Sequence, residues 1–238
     1  MDEFEVAPGL FVRGIAPPLR LADYRLIAFD MDSTLINIEC VDEIADAVGR
    51  KAEVAAITEA AMRGEIADYK DSLRRRVALL AGAPASVLEQ VYRNRLQLNP
   101  GADELVAACR DAGLDTLLVS GGFTFFTDRV RRRLNLGWSR GNVLEIDGGR
   151  LTGRLVDQYW GDIVDGAMKR ATVFEVCARN GYEPSQAIAV GDGANDLEMM
   201  AAVGLSVAYR AKPRVRAQAN VAIDMGGLDR LLEVFAPR

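Results

Sequence analysis

Three short apolar runs along the chain each stop abruptly at polar residues. The run over 25–29 ends at Asp30, that over 116–119 at Ser120-Gly121-Gly122, and that over 187–190 at Gly191-Asp192-Gly193. Continuous apolarity over so few residues predicts strands buried on both faces, as in a parallel sheet. Two further candidates follow at 205–208 and 221–224. Between the runs the apolar positions take helical spacing: over 103–112 ahead of Gly113, over 123–136, over 166–180, and over 196–203 ahead of the capping Gly204. Strands alternating with helices predict a doubly wound α/β fold on a parallel sheet. Ligands of such sheets sit beyond the carboxyl ends of the strands, and all three polar clusters fall at that edge.

About 85 residues separate the first two strands, far more than one crossover helix needs. Within them Val41, Ile44, Ala45 and Val48, then Val54, Ile57 and Ala61, keep helical spacing. The expected organisation is a leader over 1–24, with Pro8, Pro17 and Pro18 and no strong periodicity. An α/β core over 25–36 and 97–238 follows, with a helical cap over 37–96 inserted above the strand ends. The pattern around Asp147-Gly148-Gly149, from 143 to 155, predicts a small β-hairpin.

Half of the 238 residues are apolar, enough for one full-sized core, and the net charge is −5. With no long basic run, neither nucleic acid nor an anionic membrane is an expected partner. The clusters Arg74-Arg75-Arg76 and Arg131-Arg132-Arg133 read mostly as solvated helix faces. Cys40, Cys109 and Cys177 are far apart and form no C-x-x-C pair, which suits a reducing compartment rather than a disulfide framework or zinc site. No basic segment followed by an apolar run opens the chain, and no apolar stretch approaches the roughly 18 residues that span a bilayer. A cytoplasmic protein with a small-molecule substrate is expected; the sequence carries no signal for oligomeric state. Most restrictive is the absence of histidine. It excludes Ser-His-Asp catalysis, phosphohistidine chemistry and histidine-rich metal sites. No cysteine heads a C-x5-R phosphate loop either. The chemistry must rest on carboxylates, lysine, hydroxyls and metal.

Asp30 and Asp32 stand one residue apart just past a buried strand. Alone, the pair also reads as a helix-capping Asp followed by a loop Asp. Asp192 and Asp196 stand at the third strand end, so four carboxylates converge on one edge of the sheet. Two such charges about 4 Å apart repel by roughly 4 kcal/mol at an effective dielectric near 20. A divalent cation relieves this, and an oxygen-only ligand set selects magnesium over zinc. Ser120-Gly121-Gly122 opens a helix, where a hydroxyl and free N–H groups form a phosphate cradle, although a plain tight turn has the same sequence. Gly191-x-Gly193 lacks the third glycine of a dinucleotide fingerprint, and no G-x-x-x-x-G-K-[ST] loop occurs.

Four motifs, in order, resemble the haloacid dehalogenase superfamily of aspartate-based phosphatases. They are Phe29-Asp30-Met31-Asp32-Ser33-Thr34, Val119-Ser120-Gly121-Gly122-Phe123, Lys169, and Val190-Gly191-Asp192-Gly193-Ala194-Asn195-Asp196. Residues 38–44, 61–65, 72–77, 121–126, 161–165 and 211–213 look closer still to the bacterial phosphoserine phosphatases, and the likeness runs over 26–232. The resemblance implies a Rossmann-type core and hydrolysis of O-phospho-L-serine to serine and phosphate, the last step of serine biosynthesis. It implies Asp30 as nucleophile and Asp32 as acid and then base. It puts Mg2+ on the Asp30 and Asp192 carboxylates and the Asp32 carbonyl, with Asp196 one layer out. Ser120, Gly121, Lys169 and Asn195 would hold the phosphoryl oxygens. Glu39 would take the serine ammonium and Arg76 its carboxylate, with Met62 and Phe123 on the cap side. A zwitterion needs one group of each sign, and Arg grips a carboxylate with a planar fork.

For Arg76 the alternative is a surface ion pair, like those expected of Arg74 and Arg75. Two departures from the family pattern stand out. Residues 66–69 run one residue long, which bears on the orientation of Arg76, and 157–160 look inserted before Gly161. The nearest alternative function is a phosphatase or phosphotransferase acting on another small phosphate ester. A receiver-like signalling domain shares the Asp, hydroxyl, lysine and metal, but stores the phosphoryl group and has no counterpart of Asp32 or the cap.

Overall fold

The computed structural model describes residues 3–63, 65–66 and 68–237, with Met62 described in its backbone only. Its strands are β1 (Glu3–Ala7), β2 (Leu10–Arg13), β3 (Leu26–Phe29), β4 (Asp115–Phe123), β5 (Trp138–Asp147), β6 (Arg150–Val156), β7 (Ala187–Gly191), β8 (Leu205–Tyr209) and β9 (Val221–Ile223). They form one sheet in the order β1-β2-β9-β8-β7-β3-β4-β5-β6. From β9 to β5 every neighbouring pair is parallel. The flanking pairs β1–β2, β2–β9 and β5–β6 are antiparallel. The sheet is mixed, with the doubly wound parallel part at its centre.

The central strands are apolar throughout because both faces are covered. In β3, Ile27 and Phe29 face one hydrophobic core while Leu26 and Ala28 face the other. In β7 the division is Ile188 and Val190 against Ala187 and Ala189. This two-residue period is what a strand imposes. The alanine-lined face is where α7 (Gly166–Asn180) and α8 (Leu197–Met200) pack, since small side chains allow close approach. Burying the Phe29 ring at the sheet centre is worth about 2–3 kcal/mol.

Four helices fill the long connection between β3 and β4: α1 (Cys40–Ala47), α2 (Lys51–Met62), α3 (Tyr69–Ala78) and α4 (Ser86–Asn94). Asp68 caps α3, its carboxylate accepting from the Lys70 N–H at 3.1 Å. The β5–β6 hairpin anchors this group from below: Gly82 N–H donates to Leu151 O (2.8 Å), Leu151 N–H to Ala83 O (2.9 Å) and Ala85 N–H to Gly149 O (2.9 Å). Helices α5 (Ala102–Asp111), α6 (Thr124–Leu134) and α9 (Pro213–Arg216) complete the layers.

Three elements differ from the sequence reading. The stretch 1–24 was expected without regular structure, yet it carries β1 and β2, which cover the edge of β9. Only Leu10 and Val12 of these strands are buried, so their periodicity is too short to register. β5 starts at Trp138, ahead of the expected hairpin, and pairs first parallel with β4 and then antiparallel with β6. The helix expected over 196–203 is a single 3-10 turn, Ala194–Asp196, followed by the short α8. The inserted residues 157–160 make a small turn closed by Gln158 and Gly161, with Tyr159 exposed and the Trp160 ring under the Arg140 guanidinium. Among the described residues no helix is long and apolar enough to cross a membrane.

Candidate active site

Strand register brings the three polar clusters to one place. Phe29 pairs with Leu118 on one side and Val190 on the other. Asp30 therefore leaves the sheet one residue before Ser120 and Asp192 do. Its N–H donates to the Val190 carbonyl at 2.9 Å, continuing the ladder to the point where the chain turns away.

The turn, Met31–Leu35, is tight, and Ser33 takes a left-handed φ of 59°. A non-glycine residue there costs on the order of 1–3 kcal/mol, so its surroundings must hold it. Ser33 Oγ donates to Glu39 Oε1 (2.6 Å), and its N–H donates to the Ile38 carbonyl (3.2 Å). Asn99 Nδ2 donates to the carbonyls of Thr34 (2.8 Å) and Ile36 (3.0 Å). Asp32 is thereby laid against Gly122, where a Cβ would come within 3.1 Å of its Oδ2. That oxygen accepts from the Cys40 N–H at 3.4 Å, whereas Asp32 Oδ1 is buried without a partner.

Lys169 enters from the first turn of α7, whose start is fixed by Asp165 accepting from the Met168 N–H (2.8 Å). Its side chain is fully buried, and Nζ donates to Asp30 Oδ1 (2.5 Å) and Asp196 Oδ1 (2.6 Å). Asp196 Oδ2 in turn accepts from the N–H groups of Asp192 (3.1 Å) and Gly193 (3.0 Å). Gly191 must be glycine for this: a Cβ there would stand 2.5 Å from the Asp196 carboxyl carbon. Thr34 Oγ1 donates to Asp192 Oδ1 at 3.1 Å.

One lysine is too little charge for these acids. Burial, and then the Asp196 carboxylate, push the Asp30 carboxyl well above the usual range against the pull of Lys169. Burial and Asp196 push Asp192 up to about 7. Burial and Glu39 push Asp32 up to about 8. Glu39 is raised too, chiefly by burial. Burial disfavours the charged form of Lys169, but Asp196 and Asp30 outweigh it and hold its pKa above the ordinary value. Oxygens of Asp30, Asp192 and Asp196 lie within 4.8 Å of one another, close enough to share an ion. An all-oxygen set with surplus negative charge suits a hard divalent cation.

Asp30, Asp32 and Asp192 form the floor of a cavity of about 330 Å³, while Lys169 and Asp196 are buried behind them and do not line it. Ser120, Gly121, Phe123 and Asn195 line it beside the acids, and Glu39 and Arg76 line it from α1 and α3. Ser120 Oγ accepts from the Gly122 N–H at 2.9 Å. Arg74 pairs with Asp162 and Arg75 with Asp71, both on the surface, but Arg76 is turned inward and its Nε is buried without a partner. The extra residue over 66–69 has not carried Arg76 out of the cavity. The side chain of Met62 lies outside the described residues.

Several lining residues were not singled out from sequence. Asp42 follows Glu39 by three positions and so shares its helix face, a signal that was available. Tyr69 and Lys212 also line the cavity, and the Lys212 N–H donates to the Asp192 carbonyl at 3.0 Å. Asn142, fully buried, donates from Nδ2 to the Gly121 carbonyl (2.7 Å) and accepts from the Val164 N–H (2.9 Å). Like Asn99, it acts across a long sequence separation, and no local pattern announces it.

A family model described as haloacid dehalogenase-like hydrolase matches residues 24–204. A protein of Albidiferax ferrireducens named phosphoserine phosphatase is 69% identical over 237 residues, covering 100% of both chains. A solved, substrate-bound phosphoserine phosphatase complex superposes with a TM-score of 0.81 at 32% identity, over 90% of this chain and 99% of that one. A solved chain from Vibrio cholerae is longer: at 43% identity and a TM-score of 0.79, 91% of this chain covers 65% of it. The chain belongs to the haloacid dehalogenase-like hydrolases and, within them, to the phosphoserine phosphatase family.

Proposed function

We propose that this chain hydrolyses O-phospho-L-serine to L-serine and inorganic phosphate through an aspartyl-phosphate on Asp30. One observation carries the reading. A single cavity holds Asp30, Asp32 and Asp192 on its floor, with Lys169 buried behind them on Asp30, and an acid and an arginine, Glu39 and Arg76, on its wall. The floor suits a phosphoryl group and a cation; the wall suits the ammonium and carboxylate of an amino acid. The name carried by the full-length relative from Albidiferax ferrireducens supports the same substrate.

In the first step an Asp30 carboxylate oxygen attacks phosphorus and the bond to the serine oxygen breaks. Asp32 gives that oxygen its proton. Its carboxyl, pushed up to about 8, is mostly protonated at neutral pH and so ready to act as the acid. In the second step the Asp32 carboxylate takes a proton from water, whose oxygen attacks phosphorus and releases Asp30. Lys169 and Ser120 hold the phosphoryl oxygens, with Gly121 and Asn195 beside them. The donor set fits Mg2+, which Asp30, Asp192 and the Asp32 carbonyl would hold with Asp196 behind. When bound, it supplies the positive charge that lets an anionic nucleophile meet an anionic ester. Cys40 and Cys177 are buried thiols, in keeping with a cytoplasmic protein.

Phosphate release from phosphoserine, phosphothreonine and p-nitrophenyl phosphate, with and without magnesium, tests the reading. The expected result is magnesium-dependent turnover with phosphoserine preferred. Equal rates on all three esters would remove the substrate assignment and leave a general phosphatase.

A further inference from the structure

Tyr69 opens α3, and its hydroxyl crosses the cavity to the phosphate side. A Cβ built on Gly121 would stand only 2.0 Å from Tyr69 Oη, so the hydroxyl rests directly on the bare backbone of the cradle strand. No hydrogen bond to a protein group engages it among the described residues. The start of α3 is tied down beside it: the neighbouring Lys70 Nζ pairs with Asp162 (2.9 Å) and Asp165 (3.6 Å), in the segment that leads into Lys169. The core's own donors are partly spent. Lys169 is shared between two carboxylates, and the Gly122 N–H is already given to the Ser120 hydroxyl.

We propose that the Tyr69 hydroxyl is a phosphate-binding group carried by the helical cap, donating a hydrogen bond to a phosphoryl oxygen lodged against Ser120 and Gly121. The inference deepens the phosphatase reading and rests on it. It makes the cradle a joint product of two parts of the chain: the floor comes from the strand ends, and one donor arrives only with α3 in place. Burial pushes the Tyr69 phenol up to about 12, so it keeps its proton and remains a donor through the neutral range. Gly121 thereby has a reason to be glycine, since any side chain would displace the hydroxyl.

The test is Tyr69→Phe in the full chain with magnesium, which removes the oxygen and keeps the ring. Inorganic phosphate is titrated calorimetrically, kcat and KM are measured on phosphoserine, and unfolding is followed without phosphate. A hydrogen bond to a charged oxygen predicts phosphate binding about tenfold to a hundredfold weaker, with an unchanged phosphate-free melting temperature. Unchanged phosphate affinity overturns the proposal, whether or not stability falls, because the hydroxyl then serves packing alone. A second measurement needs no variant: in wild-type protein carrying 13C at tyrosine Cζ, phosphate should shift the Tyr69 resonance. A resonance that stays put also overturns the proposal. Phosphate binding is read separately from turnover, so failure to hydrolyse phosphoserine would count against the substrate and leave the Tyr69 result to stand by itself.

Discussion

The two sides of the cavity are built on opposite plans. On the floor each of several charged groups already has a protein partner: Lys169 with two carboxylates, Asp196 with two backbone N–H groups, Asp192 with Thr34. On the wall, Arg76 Nε and Asp42 Oδ1 are buried and unpartnered. Buried polar atoms are rarely left without partners, so exceptions gathered in one cavity mark where a ligand's groups belong. The floor is pre-organised for a charge that develops during reaction, which is how electrostatic stabilisation is worth most. The wall is left open for charges that the substrate brings with it. Asp32 Oδ1 is the one orphan on the floor, and it belongs to the group assigned to carry the proton. On the proposed reading, chemistry and selectivity are divided between the strand ends and the helices above them.

The division is broken most severely at the nucleophile. Asp30→Asn keeps the shape and an acceptor for Lys169 but cannot form the acyl phosphate. Its kcat should fall by about 10⁵-fold or more while the circular dichroism spectrum is unchanged. Full activity in this variant would overturn the assignment of Asp30. The wall is probed by Arg76→Lys, which keeps the charge and loses the fork. Here kcat/KM for phosphoserine should drop about tenfold to a hundredfold, with little change for phosphoethanolamine, which has no carboxylate. Equal losses on both substrates would show that Arg76 does not read the carboxylate.

The smallest effect concerns the floor without its cation. Asp30, Asp32 and Asp192 all have carboxyls raised in the metal-free fold, the last two to about 8 and about 7. The folded state then holds protons that the unfolded chain releases near its ordinary carboxylate pKa. The stability these groups confer is full below that value and is lost as pH climbs from about 4 toward 8. A cation competes with those protons, so magnesium should raise the melting temperature more at pH 8 than at pH 5.5. By mass action the gain grows only logarithmically with magnesium above its dissociation constant. Identical shifts at the two pH values would mean that magnesium binds somewhere other than this cluster.

Much of the floor was legible in the sequence because its residues sit at fixed offsets from buried strands. Asp30, Ser120 and Asp192 follow apolar runs directly, and parallel register does the rest. The wall was legible only through the resemblance, since a helical Arg such as Arg76 looks like Arg74 and Arg75 until its burial is known. Asn99 and Asn142, which pin the turn after Asp30 and the Gly121 carbonyl, left no trace, because each acts on backbone remote in the chain. The strands β1 and β2 were missed for a related reason: a short strand that covers one edge needs only two inward residues, Leu10 and Val12.

That edge cover has a consequence for how the molecule keeps to itself in a crowded solution. β9 is apolar and buried, and uncovered it would offer a bare ladder of amide and carbonyl groups to any neighbouring chain. The outermost strand is instead β1, where Glu3 and Glu5 alternate with Phe4 and Glu3 is clasped by Arg13 and Arg216. Trimming β1 and β2 together would leave the reacting groups intact and yet bare the β9 ladder to pairing with another chain.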